Sequence, residues 1–77
     1  RKRWGSATPT QGTIRISDDL QGAPKYVVDS VIFHELCHFV ELHHNARFRT
    51  LKARFPDLDK ARAFLAGMEF IRAQATN

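Results

Sequence analysis

Pro24-Lys25-Tyr26-Val27-Val28-Asp29-Ser30-Val31-Ile32-Phe33-His34-Glu35-Leu36-Cys37-His38-Phe39-Val40-Glu41-Leu42 is the stretch that decides how this chain folds. Pro24 suits a first helical position, because its missing N–H would have no helical partner there anyway. The residues that follow are apolar almost all round, which predicts a central helix buried on most sides. One stripe breaks the pattern: Val27, Val31, His34, His38 and Glu41 recur at helical spacing along a single face. Polar side chains buried on such a face need partners, and a shared metal ion would satisfy both imidazoles at once.

His34-Glu35-Leu36-Cys37-His38 is an H-E-x-x-H run. Residues four apart on a helix lie ~40° apart around the axis and ~6 Å along it, so the two rings can reach one ion. Glu35 stands beside that ion without competing for its face, where it can hold a water and accept its proton. Cys37 lies off the stripe and reads as a small buried apolar residue.

A catalytic zinc usually takes three protein ligands and a water. On an unbroken helix His44 would fall ~9 Å beyond His38 and ~120° around the axis, too far to share an ion. The helix is therefore expected to stop near Leu42 or His43, with His43 or Asn45 accommodating a positive φ in a turn that lacks glycine. His43 is a rival third ligand, and Glu69 could supply a carboxylate instead. Glu41 shares the histidine face and is a candidate to orient a ligand through a hydrogen bond.

Outward from this helix the pattern is mixed. Residues 1–4 read as the end of a strand and Thr13–Ser17 as a second, with a Gly-, Ser-, Thr- and Pro-bearing connection from Gly5 to Gly12. Ser17, Asp18 and Asp19 punctuate a link of about one helical turn ending near Gly22. Asn45 is expected to cap a helix over 46–54, stopped before Pro56. Asp57 is expected to cap another that runs to about Ala75, with Leu58, Ala61, Leu65, Met68 and Ile71 or Arg72 on its inner face, widened by Phe64 and Phe70. The fold class expected is α+β, a short N-terminal hairpin packed on a buried helix and followed by two further helices.

Seventy-seven residues make at most one small domain, and such scaffolds often need a metal, disulfides or a partner. A single cysteine rules out an internal disulfide and favours a reducing, cytoplasmic setting. No apolar run reaches the ~20 residues that span a bilayer. The net charge of +4 gathers at residues 1–3 and at Arg47, Arg49, Lys52 and Arg54. A solvated helix face is the simpler account of that cluster, with weak nucleic-acid association the alternative.

Arg3-Trp4-Gly5-Ser6, Gly12-Thr13-Ile14-Arg15, Ala23-Pro24, Val28-Asp29, the H-E-x-x-H run, His44, Arg47-Phe48 and Phe55-Pro56-Asp57 occur in order and at appropriate spacing. Together they resemble the YgjP-like metal-dependent hydrolases, relatives of the SprT-like and WLM zinc metallopeptidases, over roughly residues 1–66. The resemblance implies a minimal zincin-type fold with one Zn²⁺, His34, His38 and His44 as ligands and Glu35 as the catalytic acid/base. Ala7 and Arg49 depart from the Cys and Trp that relatives often carry. Relatives are often longer at the N-terminus, so residues 1–77 are expected to form one catalytic domain, either the C-terminal part of a longer architecture or a short member. The expected function is zinc-dependent hydrolysis, most simply of a peptide or protein, with Arg15 on strand 13–17 a candidate substrate contact. Two alternatives stay open: hydrolysis of a nucleotide or other phosphoanhydride, and a non-catalytic zinc-stapled module that binds nucleic acid or protein.

Overall fold

The computed structural model describes residues 3–75. Strand β1 (Gly5–Thr8) pairs antiparallel with β2 (Thr13–Ile16), from Gly5 opposite Ile16 to Thr8 opposite Thr13. A 3₁₀ turn at Asp18–Leu20 leads into helix α1 (Lys25–Val40), followed by α2 (Ala46–Lys52) and α3 (Leu58–Ala75). This is the expected α+β arrangement of a hairpin and three helices.

The first strand lies later than its expected position. Arg3 and Trp4 precede the strand, Arg1 and Lys2 lie outside the described residues, and Gly5–Thr8 pairs instead of forming the connection. The turn is confined to Pro9–Gly12, where Gln11 N–H donates to Thr8 and Gly12 N–H to Pro9, and Gly12 takes φ +67°. Small residues of low strand propensity are held in β1 by cross-strand pairing, which outweighs local preference. Ser17 N–H donates to the Trp4 carbonyl at 2.9 Å and carries the pairing one step past the strands.

Pro24 sits just before α1, its carbonyl accepting from Val27 and Val28. A Lys25–Asp29 pair at 2.6 Å braces the exposed first turn, and Ser30 Oγ donates to the Val27 carbonyl within the core. Val27 and Val31 of α1 join Leu20 at the centre, ringed by Trp4, Ile16, Tyr26, Phe64, Leu65 and Met68. From Tyr26 to His38 the helix is buried or half-buried except at Leu36, in line with the burial on most sides expected. Its last residues, Phe39 and Val40, and Leu42 just past its end, are exposed because the hairpin, α2 and α3 do not cover them.

Helix α3 begins straight after Asp57, whose carbonyl accepts from Ala61. Ala61, Phe64, Leu65 and Met68 face the core as expected, but Phe70 and Ile71 stand 66% and 67% exposed. Arg72 takes the inward position instead. Its Cζ lies 3.7 Å above the Trp4 ring, its Nη2 donates to Asp19 at 2.7 Å and its Nη1 to Glu69 at 3.3 Å. One side chain thus ties α3 to the residues before β1 and to the 3₁₀ turn, through a stacked cation and a charge-assisted pair.

Candidate metal centre

The helix end creates the site. α1 stops at Val40, two residues earlier than expected, and Glu41 turns extended at φ −137°, ψ 112° while its N–H still donates to Cys37. Among the described residues no non-glycine position takes a positive φ, so neither His43 nor Asn45 needs the left-handed region expected of the turn. The reversal is instead built from hydrogen bonds. Asn45 N–H donates to the His43 carbonyl, and Asn45 Oδ1 accepts from Phe48 N–H at 3.0 Å to open α2 as predicted. Helix α2 closes at Lys52, short of the expected residue 54.

This corner brings His44 back onto α1. One ring nitrogen from each of His34, His38 and His44 lies within 4.8 Å of the others, and the Nε2 atoms of His38 and His44 are 3.0 Å apart. The His38 Nδ1 lies 3.0 Å from the Leu42 carbonyl. A carbonyl can only accept, so Nδ1 carries a proton and Nε2 is the His38 nitrogen left to turn toward its neighbours. Backbone from the turn thereby sets both the tautomer and the tilt of the ring, as outer partners of metal-bound histidines do.

Phe48, 2% exposed, packs against all three imidazoles at centroid distances of 5.1, 4.6 and 4.6 Å. Arg49 Nη1 donates to the His44 carbonyl at 3.3 Å, so part of the basic run in 47–54 braces the corner. Burial, with Lys52 next, pulls the His34 pKa from 6.5 down to about 4. Burial also lowers His44, followed by the charge of His38. Both therefore favour the neutral, metal-binding form.

Glu35 points into the interior beside this group and is 3% exposed. Its Oε1 is buried without a hydrogen-bond partner among the described residues. Burial raises the Glu35 pKa against the opposing charges of His38, Arg3 and Lys52. The carboxylate opens on a cavity of about 360 Å³ that it shares with His34 and His44. Trp4, Gly5, Val31, Leu58 and Leu65 form its apolar walls, and Arg3, Lys52 and Arg62 bring positive charge. A carboxylate oxygen stripped of water and left unpaired is costly, and such groups gather where chemistry is done.

The other candidates are placed elsewhere. His43 is exposed and Glu41 makes no side-chain hydrogen bond among the described residues. Glu69 does not join the histidines, because its carboxylate accepts from Arg72. Arg15 lies on the exposed hairpin opposite Ser6, away from the cavity; Gly5 of β1 is the strand residue that lines it. Cys37 is buried, as expected, with burial raising its pKa. The Leu42 carbonyl and Arg62 were not singled out from sequence, while Phe48 figured only in the family resemblance and Lys52 only in the basic cluster. Only the Asn45 cap, which sets where Phe48 and Lys52 fall, could have pointed toward two of them.

A hairpin, a helix bearing H-E-x-x-H, and a corner that returns a third histidine define a small α+β scaffold with donors for one metal ion. The donor set fits such an ion: three imidazoles converge beside an orphaned buried carboxylate oxygen. The family model for the YgjP-like metallopeptidase domain matches residues 1–67, and the chain belongs to that family. No curated protein and no solved structure matches it. No helix among the described residues is long and apolar enough to cross a membrane.

Proposed function

We propose that this chain is a zinc-dependent peptidase in which His34, His38 and His44 hold one Zn²⁺ and Glu35 moves the proton. The reading is carried by one observation: three imidazoles converge beside a buried carboxylate that has no other partner. Imidazole donors suit zinc, whereas Mg²⁺ and Ca²⁺ take oxygen-rich sites. Ligand nitrogens ~2.0–2.1 Å from a tetrahedral ion stand about 3.3 Å from one another. The 3.0 Å His38–His44 separation and the 4.8 Å limit for the trio bracket that value, so small ring rotations suffice. Among the described residues no fourth His, Cys, Asp or Glu joins the group, which favours a site with a free position over a closed structural staple.

When bound, zinc supplies Lewis acidity toward a water and toward the scissile carbonyl. Glu35 accepts the proton of the attacking water and delivers it to the leaving amine. Burial raises its proton affinity toward the range where a carboxylate can do both. His38 stays in one tautomer through the Leu42 carbonyl, so that ring donates its lone pair without reorganising. Phe48 packs against one side of all three rings, while His44 remains exposed to solvent.

The test is Glu35→Gln, compared with wild type on an unstructured protein substrate, with zinc content measured on both. Loss of about 10²–10⁴-fold in rate at unchanged zinc content is expected. Equal rates would remove the reading. Phosphoanhydride hydrolysis is a second reading, drawn from Arg3, Lys52 and Arg62 in the same cavity. The histidine donor set weighs against it, and nucleotide cleavage assayed with Zn²⁺ and with Mg²⁺ separates the two.

A further inference from the structure

Three cations from three separate elements meet in the cavity that holds Glu35. Arg3 precedes β1, Lys52 closes α2, and Arg62 lies in the second turn of α3. None of them makes an ion pair or a side-chain hydrogen bond among the described residues, whereas Lys25 and Arg72 do. Arg3 and Lys52 act on Glu35 through space, yet neither donates a hydrogen bond to its buried Oε1. Lys52 is half-buried, and burial, then the charge of Arg62, act against its protonation and outweigh the opposing pull of Cys37 and Glu35. Arg3 and Arg62 are exposed and only Lys52 is half-buried, so the mutual repulsion is modest, and an anion entering among them relieves it.

Charge and shape narrow that anion. Three cations set against one Glu35 carboxylate leave a surplus of two positive charges (3 − 1) around the cavity. A single carboxylate satisfies part of that surplus without crowding Glu35, whereas a polyphosphate would press several negative charges against it. The apolar walls, Trp4, Val31, Leu58 and Leu65, suit the methylene stem that carries a carboxylate rather than a polar sugar.

We propose that Arg3, Lys52 and Arg62 form a carboxylate-binding subsite beside Glu35, so that the peptide cleaved presents a carboxylate next to the scissile bond. The proposal rests on the peptidase reading and names its substrate class. The carboxylate comes either from an acidic side chain or from the C-terminus of the peptide, and both present the same chemistry to the three cations.

Trp4 is the chain's single tryptophan and lines the cavity, so its emission reports occupancy. The zinc-loaded and the metal-free chain are titrated with N-acetyl-Glu-amide, with N-acetyl-Gln carrying a free carboxylate, and with N-acetyl-Gln-amide. At least one acid is expected to bind about ten- to a hundredfold more tightly than the neutral amide, the range of charge-assisted hydrogen bonds, and the tighter acid identifies the source. The preference persists without metal. In Arg62→Gln and in Lys52→Met, each checked for native circular dichroism, it falls about tenfold or more.

Equal binding of acids and amide overturns the subsite, as does a preference that vanishes on metal removal, which would put the carboxylate on the ion. Tighter binding of inorganic pyrophosphate than of either acid overturns it in favour of a phosphoanhydride ligand. Hydrolysis by wild type is scored apart, on peptides differing only by Glu or Gln. A binding preference without any cleavage keeps the subsite and removes the peptidase, and cleavage without preference does the reverse.

Discussion

The Nε2 atoms of His38 and His44 lie 3.0 Å apart across the corner between α1 and α2, with the His38 ring fixed from behind by the Leu42 carbonyl. The two nitrogens share a hydrogen bond in the metal-free chain, and in the proposed site both would turn to the ion instead. Removing either ring is therefore expected to weaken Zn²⁺ binding by at least the 10–100-fold seen when mere supporting groups of a metal site are lost. Calorimetric titration of His44→Ala and of His43→Ala checks this. The first should lose affinity and the second, whose ring is exposed, should bind as wild type does.

Acid should unfold the metal-free chain in a window set by His34. Its folded pKa of about 4 lies below the ordinary 6.5, so the unfolded state binds the proton first as pH falls. The stability this ring contributes is complete above about pH 6.5 and is lost as pH drops toward 4. Glu35 acts in the opposite sense: its raised pKa gives stability at low pH that is lost as pH rises through the folded value. Glu35→Gln should therefore be more stable than wild type at pH 7 and fall more steeply on acidification. Denaturant melts of both proteins in a chelator at pH 7, 5.5 and 4 test it, and identical pH slopes would contradict the assignment.

Arg72 should hold the C-terminal half of α3 in place. Arg72→Lys keeps the charge but loses the planar fork that stacks on Trp4 while pairing with Asp19 and Glu69. A loss of about 1–2 kcal/mol is expected in urea melts. Ile71→Ala, at an exposed position on the same turn, should change stability by no more than about 0.5 kcal/mol.

Gly5 is expected to tolerate no side chain. A Cβ there would stand 3.0 Å from the Arg15 carbonyl, 3.0 Å from Val31 and 3.3 Å from Glu35 Oε2. The carbonyl belongs to the partner strand and cannot move without loosening the hairpin. Gly5→Ala should cost about 1–3 kcal/mol, as overpacking does, and should lower hydrolysis more than zinc affinity, because the displaced group is the carboxylate. Paired measurement of rate and zinc affinity on the refolded variant distinguishes this from a simple loss of fold.

These cases show where the chain spoke for itself. The stripe through His34 and His38 and the Asn45 cap were legible because helical periodicity and capping are local rules. Helix geometry required a break in the helix if His44 is the third ligand, and the family resemblance favoured His44 over His43 and Glu69. How it returns was not legible, since the reversal depends on the Leu42 carbonyl reaching a ring four residues back. Gly5–Thr8 looked like a turn because strand pairing with Thr13–Ile16 is non-local. Arg72 rather than Ile71 faces inward because Trp4, 68 positions earlier (72 − 4), supplies the surface it stacks on. Lys52 was read as solvated charge and Arg62 was passed over, because only the packing of α2 and α3 turns them toward one cavity.

The corner over residues 41–45 has a further consequence. Its two sides contribute different ligands, two from the rod before it and one from the bend itself, so in the proposed site the ion rivets a joint that only a few hydrogen bonds otherwise close. Zinc starvation would then unlatch the hinge before it melted the core, exposing the segment around Leu42 to nicking by other proteases. In the proposed site, zinc supply would thus also set how long this corner stays closed.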